Sequence, residues 1–330
     1  MKNRLSKLMS TKAQTVSTAE KVETSVMSEE LGFPFVIKGN TKGLILSHWI
    51  EENKTMFEDK ITKHGGILFR NFDINTVEKF QELMKTFVEK PLEYNQRSSP
   101  RYAVGNNVYV TTTYPADRSI NMHSESSYSP SHPGHIVFCC IIPAATQGET
   151  PIADNKKVLN LLSAETRNKF LEKGVRYVRR INDKIGLSWQ EVFQTKERSV
   201  VEADCVKGGM SFEWKTEEEL ILTWNKKAIW NHPKTNEEIW FNHAFFFNKY
   251  TQDEDVLNSM ESEEELPFNT YYGDGEQISK EEIAELRAAY KKATLKFLWE
   301  SGDILFLDNM RISHGRSPYT GDRKVIVSLY

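Results

Sequence analysis

A short motif in the first half of the chain, His123-Ser-Glu125, limits the folds that this sequence can adopt. Side chains two residues apart on an extended strand point to the same face, so His123 and Glu125 can both reach one metal ion. A third ligand must come from elsewhere, and the best candidate is His314, which follows the apolar stretch 303–308. The fold is therefore expected to be a scaffold that brings Glu125 and His314 together across a long stretch of sequence.

Two histidines and one carboxylate on one side of a metal leave positions open for other ligands, which is typical of non-haem Fe(II) oxygenases. The chain contains 8 histidines and 46 acidic residues, so a lone His-x-Glu motif arises easily by chance. The motif becomes specific evidence for a metal site only together with the other motifs around it. His243, on a predicted strand, is the chief alternative to His314 as third ligand. His132 and His135 lie in a loop rich in Pro, Gly and Ser and are weaker candidates for metal binding than His123.

The composition argues against several classes of partner. The chain of 330 residues carries 43 basic and 46 acidic residues, a net charge of −3, which makes nucleic acid a poor candidate partner. No apolar run approaches the roughly 20 residues that span a bilayer, and the N-terminus lacks the apolar core of a secretory signal. Three cysteines, Cys139, Cys140 and Cys205, cannot form a disulfide framework. We therefore expect a reducing, cytoplasmic environment, which also keeps iron ferrous.

The order of predicted elements indicates a mainly β chain with flanking helices, an α+β fold. Residues 1–30 are polar and low in aromatic residues, so we expect a flexible tail. Many short strands follow without an internal repeat or a linker rich in Pro, Gly and Ser. This pattern favours a single domain over 31–330 with a jelly-roll core, a double-stranded β-helix with helical insertions. The apolar run 136–142 is predicted to be a strand buried on both faces, and about 188–300 is predicted to be a helical or lid-like insertion.

Further motifs follow one another in the order known from a group of enzymes. They are Tyr94-Asn-Gln-Arg97-Ser-Ser-Pro-Arg101, Gln147-Gly-Glu-Thr150, Ser188-Trp-Gln-Glu-Val-Phe-Gln194, Trp240-Phe-Asn242, Tyr271-Tyr-Gly-Asp274-Gly and Thr320-Gly-Asp-Arg323. With the ligand motifs, they resemble the Fe(II)/2-oxoglutarate dioxygenases of the taurine dioxygenase and clavaminate synthase-like superfamily. The nearest likeness is to the branch typified by the syringomycin-pathway amino-acid hydroxylase, and it extends from about Gly65 to Tyr330.

The resemblance implies that His123, Glu125 and His314 hold Fe(II), with 2-oxoglutarate and O2 as co-substrates. Arg323 occupies the family's position for binding the distal carboxylate of 2-oxoglutarate, and Thr150 is a further hydrogen-bond donor to it. A planar guanidinium suits two carboxylate oxygens better than an ammonium group does. The implied reaction hydroxylates an unactivated C–H bond and converts 2-oxoglutarate to succinate and CO2. Family halogenases have a small residue at the position of Glu125, so hydroxylation is favoured over chlorination, while desaturation and epoxidation remain open.

The resemblance also bears on the substrate. Val327 stands where taurine dioxygenase has an arginine for the sulfonate of taurine, which argues against taurine. The matching branch acts on amino acids, some free and some tethered to a carrier protein. Polar residues suited to a carboxylate or a phosphopantetheine group are Tyr94, Arg97 and Arg101 in one loop, and Arg179 and Arg180 on a predicted edge strand.

Two other functions remain open from the sequence. One is a non-catalytic regulatory or carrier-protein-binding member of the same fold. The complete set of metal ligands argues against this function. The other is a cupin-like zinc or manganese enzyme, in which Arg323 has no obvious role. Arg316 is the alternative to Arg323, although pairing with Asp308 or with a backbone carbonyl is the more ordinary role for it.

Overall fold

The computed structural model describes residues 21–41, 43–87, 103–105, 108–110, 114–182, 186–252, 257, 262 and 265–330. The α-helices within these residues are α1 (Leu46–Glu52), α2 (Lys54–His64), α3 (Val77–Met84), α4 (Asn155–Asn160), α5 (Ala164–Lys173), α6 (Trp189–Phe193), α7 (Arg198–Lys207) and α8 (Lys280–Ala293). In this described part of the chain, no helix has both the length and the apolar character needed to cross a membrane.

The strands are short and distributed along the whole described chain. They are β1 (Val22–Ser28), β2 (Phe33–Gly39), β3 (Gly66–Arg70), β4 (Ala103–Gly105), β5 (Val108–Val110), β6 (Ile120–His123), β7 (His135–Ile142), β8 (Thr146–Gln147), β9 (Ile152–Asp154), β10 (Val175–Ile181), β11 (Ser211–Trp214), β12 (Leu220–Lys226), β13 (Ile229–Asn231), β14 (Glu238–Trp240), β15 (Phe268–Tyr272), β16 (Thr294–Leu295), β17 (Ile304–Asp308), β18 (Ile312–Arg316), β19 (Tyr319–Thr320) and β20 (Lys324–Leu329).

The larger sheet has the order β1-β2-β3-β17-β7-β20-β5-β4. Its central strand β7 is apolar on both faces: Val137 and Cys139 join the cluster that contains helices α1 to α3, whereas Ile136 and Phe138 join the cluster on the opposite face. This arrangement confirms the predicted two-sided burial for 136–140, whereas Ile142 at the end of the strand is 43% exposed. A strand covered on both sides has no solvent-facing positions, so its sequence does not alternate between polar and apolar residues.

A smaller sheet, with the order β16-β9-β18-β6, packs against the larger one. Phe138 and Leu305 of the larger sheet, with Ile152 and Ile312 of the smaller sheet, contribute to the core between them. The chain passes from β17 in the larger sheet to β18 in the smaller sheet through only 309–311. Two sheets that enclose a common core and exchange strands in this way form the jelly roll that the sequence predicts.

A third sheet, with the order β11-β12-β10-β15, comes largely from the predicted insertion and packs with several helices in a separate cluster. Strand β10 pairs with β12 on one side and with β15 on the other, so the prediction of an edge strand was wrong. Its arginines find partners within the fold. Arg180 forms an ion pair with Glu219 at 2.5 Å, and the buried guanidinium of Arg179 lies 5.0 Å from the ring centroid of Phe268.

The described residues begin within the segment that the sequence predicts to be a flexible tail. Strand β1 lies inside 1–30 and pairs antiparallel with β2. Val22 is buried, and Val26 and Met27 pack against the cores on the two faces of the larger sheet. These few apolar residues are enough to add an edge strand to an existing sheet, although the average composition of 1–30 is polar. The predicted boundary at residue 30 was therefore too late.

Candidate metal centre

Two neighbouring strands of the smaller sheet bring His123 and His314 together. His314 on β18 lies directly opposite His123 on β6 in the antiparallel register, and their ring centroids are 4.4 Å apart. Gly315 permits this close approach, because a Cβ at that position would lie 2.6 Å from the carbonyl oxygen of Ile120. The pairing of β6 with β18 therefore places two imidazoles side by side.

Glu125 reaches the same place from a turn and not from the strand. Strand β6 ends at His123, and the backbone then turns, with Ser126 at a φ of 54°. The prediction that His123 and Glu125 share one face of a strand was wrong in its geometry. The side chains nevertheless converge, because one ligand atom each from His123, Glu125 and His314 lies within 4.8 Å of the other two.

The side chain of Asn309 holds the backbone at Glu125. Its Oδ1 accepts a hydrogen bond from the N–H of Glu125 at 2.8 Å, and its Nδ2 donates to the carbonyl oxygens of Glu125 at 2.9 Å and Pro133 at 2.8 Å. This buried amide supplies the partners that a neighbouring strand would supply if β6 continued. The sequence analysis missed Asn309, whose only sign was its place directly after a buried strand.

The backbone orients the imidazole of His123 on β6. Nδ1 of His123 lies 2.9 Å from the carbonyl oxygen of Asn121, which can only accept, so Nδ1 carries the proton and Nε2 is available to a metal. Two neutral imidazoles and one carboxylate are a donor set that suits Fe(II). The residues present therefore fit the metal that the sequence predicts.

Arg323 and Thr150 line the same cavity as His123, Glu125 and His314. Nε of Arg323 donates to the carbonyl oxygen of Gly148 at 2.8 Å, and its Nη2 lies 3.5 Å from Oγ1 of Thr150. Nε1 of Trp299 donates to the same Oγ1 at 3.2 Å. A hydroxyl that accepts from two donors has its own hydrogen left to donate. Trp299, which the sequence analysis missed, thus helps to direct the Thr150 hydroxyl.

The charge of Arg323 has no carboxylate partner among the residues that the structure describes. Burial lowers the pKa of its guanidinium to about 10, and the charge of Arg316 adds to the effect. A buried cation without a counter-ion is unfavourable unless an anion binds beside it. The surroundings of Arg323 therefore fit a carboxylate ligand such as the distal end of 2-oxoglutarate.

Arg316 lines the cavity too, but both of its terminal nitrogens already donate to the backbone, and only its buried Nε has no partner. Its guanidinium donates to the backbone carbonyl oxygens of Tyr114 at 2.8 Å, Arg118 at 2.7 Å and Pro115. Carbonyl pairing is one of the two ordinary roles predicted for this residue. The geometry separates the two arginines, because both terminal nitrogens of Arg316 donate to the backbone, whereas Nη1 of Arg323 has no hydrogen bond within the described part of the chain.

The cavity has a volume of about 340 Å³, within the range of small-molecule sites. Val327 and the aromatic residues Phe246, Phe247 and Phe268 contribute to its wall. Arg179 and Arg180 do not line it. The loop residues Tyr94, Arg97 and Arg101 lie outside the described residues, so their predicted substrate role stays a prediction.

Comparisons with known proteins agree with this site. Residues 32–330 match the family described as "Taurine catabolism dioxygenase TauD, TfdA family". The chain is 38% identical over 275 residues to the dapdiamide synthesis protein DdaC of Enterobacter agglomerans, which covers 82% of this chain and 84% of that protein. It is 26% identical over 296 residues to a clavaminate synthase-like protein of Arabidopsis thaliana, covering 86% of this chain and 87% of that protein.

Solved structures share the fold. PvcB of Pseudomonas aeruginosa matches with a TM-score of 0.55 and 14% identity over 96% of this chain and 93% of that chain. AAD-2, solved with Mn(II) and N-oxalylglycine, matches with a TM-score of 0.52 and 14% identity over 93% of this chain and 96% of that chain. The predicted jelly-roll class and the resemblance drawn from the motifs are both confirmed. The chain belongs to the TauD, TfdA family and is an Fe(II)- and 2-oxoglutarate-dependent dioxygenase.

Proposed function

We propose that this protein hydroxylates an unactivated C–H bond of an amino-acid-derived substrate, with His123, Glu125 and His314 as the ligands of its Fe(II). The observation that carries the proposal is the convergence of these three side chains, whose ligand atoms lie within 4.8 Å of one another. They converge in a cavity that also contains Arg323 and Thr150. These two residues bind the distal carboxylate of 2-oxoglutarate.

The three proposed ligands set the net charge at the metal end of the cavity. The single carboxylate of Glu125 leaves one positive charge on Fe(II), which favours an anionic chelating keto acid. When bound, Fe(II) with 2-oxoglutarate supplies the O2-dependent hydroxylation, with succinate and CO2 as products. The protein keeps the donors in place: Asn309 fixes the turn at Glu125, and the carbonyl of Asn121 fixes the tautomer of His123.

The co-substrate end depends on a second set of contacts. Gly148 accepts from Nε of Arg323 and leaves the outer edge of the guanidinium for two carboxylate oxygens. Trp299 donates to Thr150, so the threonine hydroxyl directs its hydrogen to the same carboxylate. Together these contacts orient 2-oxoglutarate with its keto acid end toward the metal ligands.

Several observations support an amino-acid-derived substrate over taurine. Val327, at the position of the sulfonate-binding arginine in taurine dioxygenase, is buried in the cavity wall and offers no charge. A relative of 38% identity is named for dapdiamide synthesis and not for taurine breakdown. The proposed substrate is a free amino-acid derivative or one tethered to a carrier protein, with Tyr94, Arg97 and Arg101 as further binding groups. Unchanged substrate KM in both Arg97→Ala and Arg101→Ala variants would remove that loop from the proposal.

The proposal extends to the organisation of the chain. One dioxygenase domain over about 31–330 carries an insertion at about 188–300 that covers the cavity mouth. Phe246, Phe247, Thr251 and Phe268 from this insertion line the cavity, which supports a lid function. A cytoplasmic location, where iron stays ferrous, suits the same chemistry.

The first experiment is an anaerobic titration of the purified apoprotein with Fe(II) and then with 2-oxoglutarate, followed by absorption spectroscopy. We expect the visible charge-transfer band of the iron–keto acid chelate in the natural protein. The band should be absent in His314→Ala and Glu125→Ala, and present in His48→Ala, which changes a histidine outside the cavity. Screening of amino-acid derivatives for coupled succinate formation then identifies the substrate.

Two outcomes count against the proposal. A folded natural protein that gives no band supports a regulatory or carrier-protein-binding member of the fold. Normal turnover in Arg323→Ala without added 2-oxoglutarate supports a zinc or manganese enzyme that uses no keto acid.

A further inference from the structure

His243 lies in the cavity beside the metal-binding side chains but outside their group. It is buried, lines the cavity, and has its ring centroid 5.8 Å from that of His123. Its backbone N–H donates to the phenol oxygen of Tyr177 at 2.9 Å, which fixes the start of the side chain. A residue held so firmly beside a reaction centre, and not needed as a ligand, is suited to bind the substrate.

The hydrogen bond between His243 and Ser127 decides which ring nitrogen carries the proton. Nδ1 of His243 lies 2.6 Å from Oγ of Ser127, a buried hydroxyl whose single side-chain partner among the described residues is this nitrogen. If Nδ1 carried the proton, the serine hydrogen would have no acceptor, which is unfavourable for a buried donor. The hydroxyl therefore donates to Nδ1, and the proton is on Nε2. Since His243 lines the cavity, Nε2–H is a donor available to a ligand there.

The ring is surrounded by aromatic side chains. Tyr128 and Phe247 each lie 4.8 Å from it between centroids, and Phe246 lies 5.2 Å away. Because the hydroxyl of Ser127 donates to Nδ1, the ring of His243 is neutral. A neutral donor in an apolar wall does little to offset the desolvation of a carboxylate, whereas it suits an uncharged carbonyl oxygen.

We propose that Nε2–H of His243 binds an uncharged carbonyl oxygen of the substrate, such as that of an amide or thioester, and so places the neighbouring C–H bonds at the metal. The inference rests on the proposed function and deepens it. It implies that the substrate is an amino-acid derivative whose reacting end carries an acylated or amidated group and not a free carboxylate. Ser127 is a positioning residue, because it acts only through the tautomer of His243.

The test uses the whole protein loaded with Zn(II), a diamagnetic substitute for Fe(II), and with 2-oxoglutarate. Histidine nitrogen NMR reports which ring nitrogen of His243 is protonated, and the probes are acetamide and acetate at equal concentrations. We expect protonated Nε2, a shift of its resonance with acetamide, and a much smaller shift with acetate. The Ser127→Ala variant should lose the fixed tautomer.

Variants measure the contribution of the donor. Binding of acetamide, followed through the charge-transfer band of the anaerobic Fe(II) protein, should be roughly tenfold weaker in His243→Phe. His243→Gln restores an N–H donor and should recover most of the affinity. The control is His132→Phe, which alters a histidine that packs on Phe241 away from the cavity.

Several results would overturn the inference: protonated Nδ1, no response to acetamide, an equal response to acetate, or unchanged acetamide binding in His243→Phe. Its failure is distinguishable from that of the proposed function. Loss of the acetamide response with the charge-transfer band intact counts only against the role of His243. A natural protein without the band counts against the proposed function itself.

Discussion

Strands Ile304–Asp308 and Ile312–Arg316 follow each other in the chain and are buried at all five positions, yet their chemistry differs. The first, ILFLD, is apolar except for its last residue and lies in the larger sheet. The second, ISHGR, has one large apolar side chain, Ile312, and lies in the smaller sheet, where it presents His314 and Arg316. Both strands are therefore equally buried, but the first supplies apolar side chains to the core and the second supplies polar side chains to the site.

The difference lies in how the buried groups are satisfied. Phe306 of the first strand packs against other aromatic rings, and its burial stabilises the fold through apolar contact. Arg316 of the second strand is buried because three backbone carbonyls accept from it. His314 is buried against the cavity, where a metal can bind. We therefore expect changes in the larger sheet to reduce stability, and changes in the smaller sheet to reduce activity.

The largest effect is expected for His314→Ala. Loss of a residue that merely supports a ligand costs about 10- to 100-fold, so loss of a ligand should lower kcat/KM for succinate formation by at least about a thousandfold. The melting temperature of the metal-free protein should change little. The control is His232→Ala, which removes a buried histidine bonded to Asp308 outside the cavity. Comparable activity loss in both variants would contradict the separation of the two strands.

Phe306→Ala tests the larger sheet. Phe306 is 2% exposed and has ring centroids of Phe57 and Phe87 at 5.0 and 5.3 Å. Its truncation should lower the free energy of unfolding by about 3–5 kcal/mol, measured by urea denaturation. Activity per folded molecule at low temperature should be close to normal, and Phe306→Leu should lose much less stability. If activity per folded molecule falls as far as in His314→Ala, the expected difference between the two strands is contradicted.

Asn309→Ala tests the connection between the two strands, because Asn309 lies between them in the chain and its side chain bonds the backbone of Glu125. The turn at Glu125 should loosen, so Fe(II) affinity should fall about 10- to 100-fold, as for other residues that orient a ligand. Isothermal titration with Fe(II) under anaerobic conditions measures the effect. Asn269→Ala is the matched control, since Asn269 is a buried asparagine that accepts from two backbone N–H groups in the third sheet. Equal loss of iron affinity in both variants would show a general effect of packing.

Thr150→Val should have the smallest effect. Removal of one hydroxyl that donates to a carboxylate should raise the KM for 2-oxoglutarate about tenfold, with little change in kcat or in Fe(II) affinity. Thr150→Ser retains the hydroxyl and should stay within about twofold of the natural protein. A changed iron affinity in Thr150→Val would contradict the assignment of Thr150 to the co-substrate end.

Local patterns in the sequence were sufficient for part of the fold and of the site. An unbroken apolar run was enough to predict the two-sided burial of 136–140, because a two-sided environment leaves no place for polar residues, but it did not show that Ile142 is exposed. The average polarity of 1–30 was a poor guide to β1, since Val22 and its few apolar neighbours pair with a sheet that forms elsewhere. The basic strand 175–181 was misjudged for a related reason: the partner Glu219 comes from a distant part of the chain, just before β12.

The sequence by itself determined the chemical groups: the imidazoles of His123 and His314, the carboxylate of Glu125 and the guanidinium of Arg323. Only the tertiary structure decided how these groups are held. The pairing of β6 with β18, the amide of Asn309 at the turn, and the serine that sets the tautomer of His243 join residues far apart in the chain. Periodicity and composition report the local environment of a residue. Long-range strand pairing and bonds from side chains to a distant backbone arise only when the whole fold closes.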